Sequence, residues 1–170
     1  EDGNDVPDGE IGEVWLRGPQ IMVGYWNKPE ETAKALDDDG WLRTGDAGYR
    51  QDGYLFLHDR VKDMIVSGGE NVYPAEVENA IMGCPGVADV AVIGVPDEKW
   101  GEAVKAIVVT SPDEDVTPQA VMAWARERIA GFKVPKSVDF VDELPRNPSG
   151  KILKKDLRAP YWADRERQIG

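Results

Sequence analysis

Two apolar runs rich in β-branched residues, VADVAVIGVP at 87–96 and AVKAIVVT at 103–110, constrain this chain more than any other feature. Each carries a single charge over its length, the pattern of strands in a buried sheet rather than of a half-solvated ribbon. A buried sheet needs helices to cover it, and the flanking sequence supplies them. PAEVENAIMG (74–83) reads as a helix with Pro74 near its start and Gly83 as its stop. TPQAVMAWARERIAG (117–131) reads as a second, with Thr117 as N-cap, Pro118 at N1, an apolar stripe of Val121, Trp124, Ala125 and Ile129, and Gly131 at its end. DMIVSGGENVYP is expected to be a strand ending in a glycine-rich turn, SVDFVDEL (137–144) a last strand, and KILKKDLRAPYW a short helix stopped at Pro160. Residues 61–170 are therefore expected to form a small α+β unit, a short sheet flanked by helices.

The first 60 residues have a different rhythm. GEVWLRG (12–18) sets Val14 and Leu16 against Glu13, Trp15 and Arg17, as in a half-buried strand. NKPEETAKAL (27–36) opens a helix with Pro29 in its first turn and Glu30 and Glu31 at the positive end of the dipole. YRQDGYLFLHD (49–59) is a hairpin turning at Asp52-Gly53. This segment is β-rich, and the expected boundary lies near DRVKD (59–63), dividing the chain into 1–60 and 61–170. The opening residue is Glu1, and EDGNDVPDGEIGE has the composition of a linker running into a strand, so a piece of a longer chain is expected.

A formal charge of −12 argues against nucleic acid as a partner, because phosphate binding needs a cationic face. No run approaches the ~18 apolar residues of a membrane-spanning helix. The one cysteine, Cys84, excludes an internal disulfide and fits a small buried filler in a reducing, cytoplasmic setting, with peripheral attachment to a membrane left open. The charge is uneven, net −8 over residues 1–60 and −4 over 61–170. Arg146, Lys151, Lys154, Lys155, Arg158, Arg165 and Arg167 make a basic tail, either a solvated surface or an attraction for a polyanionic small molecule.

Few residues can carry chemistry. His58 is the only histidine, so neither a metal cluster nor a Ser/His/Asp triad is expected beyond what that one residue could complete. Glu76 and Glu78 stand two apart in a helix and cannot share a face, so they are not an acid/base pair. Asp46, in GWLRTGDAG, belongs either to a plain bend or to a carboxylate held at a strand end to accept two vicinal ribose hydroxyls. Ser67-Gly68-Gly69 would let a slender ligand or another backbone approach, or simply turn. PRNPSGKIL (145–153) ends in Gly150-Lys151 but is not a Walker loop: Pro145 stands where the first glycine is required, and Ile152 where a hydroxyl should hold magnesium.

Taken in order, GYWNKPEETAKAL, GWLRTGD, GYLFLHDRVKDMIVSGGENVYPAEVE, GVADVAVIGVPDEKWGE and ELPRNPSGKILK resemble the last third of the adenylate-forming enzymes: acyl-CoA synthetases, adenylation domains of nonribosomal peptide synthetases, and luciferases. The resemblance runs from about Gly9 to Leu157. KDMIVSGGENVYPAEVE is most similar to fatty-acyl and related CoA ligases, whereas nonribosomal adenylation domains usually differ in the segment after Arg60, and luciferases and coumarate ligases at Val66–Gly69. The resemblance implies that residues 1–60 are the β-rich tail of a large adenylation domain, part of a distorted β-barrel, and that 61–170 are its small mobile C-terminal domain.

It also implies roles. Asp46 would hold the ATP ribose, Arg60 would contact the nucleotide, Lys62 would be the hinge, and Ser67, Gly68, Gly69 and Glu70 would line the pantetheine arm of CoA. Lys151 would reach the reacting carboxylate and α-phosphate. ATP, CoA and a medium- or long-chain carboxylic acid are the implied substrates, and the rest of the large domain is the implied partner. Magnesium would be held by residues ahead of this stretch. Without the phosphate loop and acyl pocket, the 170 residues alone are expected to be inactive. A carrier protein in place of CoA as acceptor, or a non-catalytic module that binds CoA or a partner, are the competing readings.

Overall fold

The computed structural model describes residues 3–112 and 114–163, so Arg165 and Arg167 of the basic tail lie outside the described residues. The chain divides into two compact units, Glu1–Val61 and Lys62–Gly170.

The second unit is built on the two apolar runs. They form the long antiparallel strands β6 (Val87–Asp97) and β7 (Gly101–Thr110). The other edge of β7 is shared: β4 (Ile65–Ser67) meets it at Ser67–Gly101, and β8 (Ser137–Phe140) runs parallel to it from Lys105 to Val108. β5 (Glu70–Val72) closes the far side against β4. Alternate residues of the central strands enter two separate cores. Val90, Val92, Val104 and Val108 pack with Val77 and Ile81 of α2 (Pro74–Met82) and Val121 and Ala125 of α3 (Pro118–Arg126). Ala91, Ile93, Ala103 and Ile107 face the opposite way, with Leu157 and Tyr161 of α4 (Lys154–Trp162) against them. Helices on both faces account for antiparallel strands that read as almost continuous apolar runs. The fold is α+β, as expected. Cys84, after α2, is buried in the first of these cores, and burial raises its thiol pKa.

Thr117 caps α3 as expected, its Oγ1 accepting from Ala120 N at 3.2 Å. Three expected extents are corrected. α3 ends at Arg126, short of Gly131, and β8 stops at Phe140 rather than Leu144. α4 is not stopped by Pro160 but runs through it to Trp162. A proline there removes one helical hydrogen bond. Side chains beyond it compensate, since Tyr161 Oη donates to Asp139 Oδ2 at 2.7 Å and Trp162 Nε1 to Gly94 O at 3.0 Å.

The first unit is one antiparallel sheet, β1 (Gly12–Leu16), β2 (Leu42–Gln51) and β3 (Tyr54–Arg60), with α1 (Pro29–Ala35). Asp52 and Gly53, at φ +52° and +80°, make the tight β2–β3 turn. The expected alternation in β1 fails: Leu16 is exposed and Trp15 half-buried, because the register with β2 shifts between Glu13 and Trp15 and exchanges the faces. Ala47 is the only buried hydrophobic residue of this unit among those described, while Val23, Trp26, Tyr54 and Leu57 are exposed. No helix among the described residues is long and apolar enough to cross a membrane.

Candidate active site

Asp46 does not sit in a turn after a strand, as its sequence suggested, but inside β2. Glu13 pairs with Ala47 and Trp15 with Arg43, so Thr44, Gly45 and Asp46 bulge opposite Val14. The bulge has its own scaffold. Thr44 Oγ1 donates to Val14 O at 2.7 Å and accepts from Asp46 N at 3.1 Å, and Glu13 Oε1 accepts from Gly45 N at 3.0 Å. Gly45 lies at φ +72°, where a side chain would be strained. The bulge aims Asp46 at its register partner on β3, and Arg60 Nε meets Asp46 Oδ1 at 2.9 Å. Both side chains stay over a third exposed, so the pair is an accessible anion–cation couple and not a core element. A carboxylate has further acceptor sites beyond the one that Arg60 uses.

Lys62 lies in the 3-10 turn Val61–Asp63, at the boundary between the two units, and is exposed. The segment after it is a complete hairpin, more than the strand-and-turn expected. β4 and β5 are joined by Gly68 and Gly69 at φ +63° and +86°. Gly68 N donates to Trp100 O at 2.8 Å, and a Cβ on Gly68 would come within 2.6 Å of the Trp100 ring, so only glycine fits. Ser67 is buried, and Gly68, Gly69 and Glu70 form the exposed part of the segment.

Lys151 is positioned by a loop folded on one side chain. Asn147 Oδ1 accepts from Ser149 N, Ser149 Oγ and Lys151 N at 3.0, 2.8 and 2.9 Å. The backbone closes around it through Asn147 N to Lys151 O at 2.9 Å and the bridge between Arg146 and Ile152. Pro-Ser-Gly after an asparagine is an Asx-turn signal, so this part of the scaffold could have been found in the sequence. Of the five described members of the basic tail, three are neutralised internally: Arg146 pairs with Asp89, Lys154 with Glu78 and Arg158 with Asp63. Lys151 is exposed, and its ammonium has no ion-pair partner among the described residues.

Asp46 and Arg60 are thus brought together in the first unit, while Ser67–Glu70 and Lys151 belong to the second. Sequence reasoning missed Glu13, Asn147, Trp100 and the Asp63–Arg158 pair, all of which act through partners distant in the chain or through backbone atoms. Among the described residues no group of three His, Cys, Asp or Glu side chains could hold a metal ion. Glu76 and Glu78 do point apart, to Lys133 and Lys154.

Residues 76–151 match the AMP-binding enzyme C-terminal domain. The chain is 49% identical over 169 residues to a fatty acid–[acyl-carrier-protein] ligase, ScoC, of Streptomyces coeruleorubidus, covering 99% of this chain and 32% of that protein. It is 55% identical over 160 residues to a feruloyl-CoA synthase of an Amycolatopsis species, covering 94% and 32%. Among solved structures, ATP-bound MatB from Rhodopseudomonas palustris superposes with a TM-score of 0.88 at 42% identity, covering 95% of this chain and 32% of that one. The chain spans about a third of the length of the curated relatives it matches.

Proposed function

Because the chain belongs to the AMP-binding enzymes through their C-terminal domain, we propose that it is the C-terminal part of an ATP-dependent acyl-CoA ligase. In this reading a cytoplasmic enzyme activates a medium- or long-chain fatty acid as acyl-AMP and passes it to CoA. The observation that carries it is Lys151, a cation with no ion-pair partner on a firmly folded loop, while Arg146, Lys154 and Arg158 around it are paired and, among the described basic residues of the tail, only Lys155 shares its lack of one.

Forming acyl-AMP brings two anions together, the attacking carboxylate and the α-phosphate. A compact ammonium on a long stem supplies positive charge to the crowded oxygens without wrapping them. Asp46 accepts the ribose hydroxyls, and Arg60, which already orients that carboxylate, faces the nucleotide. A cation fixed at the reacting centre would obstruct the thiol in the second step. Rotation about Lys62 withdraws Lys151 and brings the Gly68–Glu70 turn to the pantetheine arm, where the absence of a side chain at Gly69, open on that side, gives a narrow ligand room. Magnesium, which would neutralise departing pyrophosphate, is expected on residues outside this chain.

The expected outcome is selective. In the full-length ligase, Lys151→Ala slows acyl-adenylate formation about a hundredfold or more, while thioester formation from supplied acyl-adenylate survives. Equal loss in both half-reactions, measured in single turnover, would overturn the assignment. The acceptor differs among the relatives, a carrier protein for ScoC and CoA for the feruloyl enzyme. Offering CoA and a phosphopantetheinylated carrier to the same acyl-adenylate separates those readings.

A further inference from the structure

The largely buried ion pair Asp63–Arg158 joins two segments that the proposed mechanism treats separately. Arg158 Nη1 lies 2.6 Å from Asp63 Oδ1, and each side chain is only 12% exposed. Asp63 directly follows Lys62, and Arg158 is in the middle of α4. α4 is also tied down elsewhere: Lys154 to Glu78 of α2 at 2.8 Å, Tyr161 to Asp139 of β8, and Trp162 to the Gly94 carbonyl of β6. Its first residue is three positions after Lys151, and Leu153 N is held by Pro145 O at 2.8 Å across the base of the Lys151 loop.

We infer that Arg158 is a positioning residue, and that α4 is the strut by which a turn at Lys62 moves Lys151. This rests on the ligase reading for its consequence, though not for its geometry. A buried carboxylate that loses its cation is strongly disfavoured, so Asp63 stays with Arg158 through any rearrangement. Backbone rotation is thereby confined to the residues before Asp63, and the motion passes undamped through α4 to the loop at its start. Without the tether, the 3-10 turn Val61–Asp63 opens, the pivot spreads over several residues, and neither catalytic pose is well defined.

The test pairs a structural and a kinetic readout. In the 170-residue chain, Arg158→Met raises hydrogen exchange about tenfold in peptides covering 61–66 and leaves those of β6 and β7 unchanged. Asp63→Leu with Arg158→Met removes both charges and restores protection, as apolar replacements of buried pairs do. In the full-length ligase, Arg158→Met slows both half-reactions about tenfold with the KM for ATP within twofold, in contrast to the one-sided defect of Lys151→Ala. Should Arg158→Met not fold, Arg158→Lys, which keeps the charge on a shorter stem, must give the same localised pattern to a smaller degree. Exchange that rises evenly across the unit, or kinetics unchanged while the turn opens, overturns the inference. A Lys151→Ala enzyme with normal adenylation would instead sink the ligase reading and leave the exchange result standing.

Discussion

One carboxamide sets the path of the Lys151 loop. Asn147 Oδ1 receives two backbone amides and a hydroxyl within five residues, so the lysine Cα is fixed while its side chain stays free to reach. A single such hydrogen bond contributes about 1 kcal/mol, roughly a fivefold population change. Asn147→Ala is therefore expected to speed exchange of the Lys151 amide at least fivefold, and Asn147→Asp, which keeps the acceptor, to hold it near the wild-type rate. Amide-resolved exchange by NMR decides. Glu13 plays a comparable part for Asp46, but nothing near it in sequence announces this. Its partner, Gly45, is 32 positions away, and the bulge exists only once β1 and β2 have paired.

Among the elements, α4 departs most from its sequence signal. Proline is expected to end a short helix, and Lys154–Trp162 contains one because its last turn is held by other elements. Those contacts include a charged group inside the sheet-covering layer: Lys105 Nζ lies 2.8 Å from Asp139 Oδ2, which also accepts from Tyr161. The hydrogen bonds from Lys105 and Tyr161 hold the Asp139 carboxyl below its usual range. Burial and the neighbouring carboxylate push the Tyr161 phenol up to about 12. The folded state thus keeps the phenolic proton that the unfolded state, titrating near about 10, gives up. That contribution to stability is complete below about pH 10 and lost as pH rises through about 12. Denaturant unfolding of the wild type and Tyr161→Phe is expected to differ most below pH 10 and to converge toward pH 12. The apolar runs, the Thr117 cap and the Asp52-Gly53 turn were legible because each is decided by neighbours in sequence. The Asp63–Arg158 pair, separated by 95 positions, was not.

At the scale of the whole molecule the two units differ in self-sufficiency. Lys62–Gly170 has apolar cores on both faces of its sheet, whereas Glu1–Val61 has one buried hydrophobic residue among those described and leaves Val23, Trp26, Tyr54 and Leu57 in solvent. On the proposed ligase reading, a sheet with so little of its own interior is the tail of a larger domain. The expected outcome is that purified chain given fatty acid, ATP and CoA forms no acyl-CoA; product detected by mass spectrometry, above a Lys151→Ala control, would contradict it. The buried sulfur of the second unit has a practical corollary. Because Cys84 is the sole thiol in 170 residues and is shut inside the core under α2 and α3, a maleimide or disulfide dye can reach it only when that core opens. The protein therefore carries its own single-site clock for breathing of the C-terminal lobe, with no engineered label required.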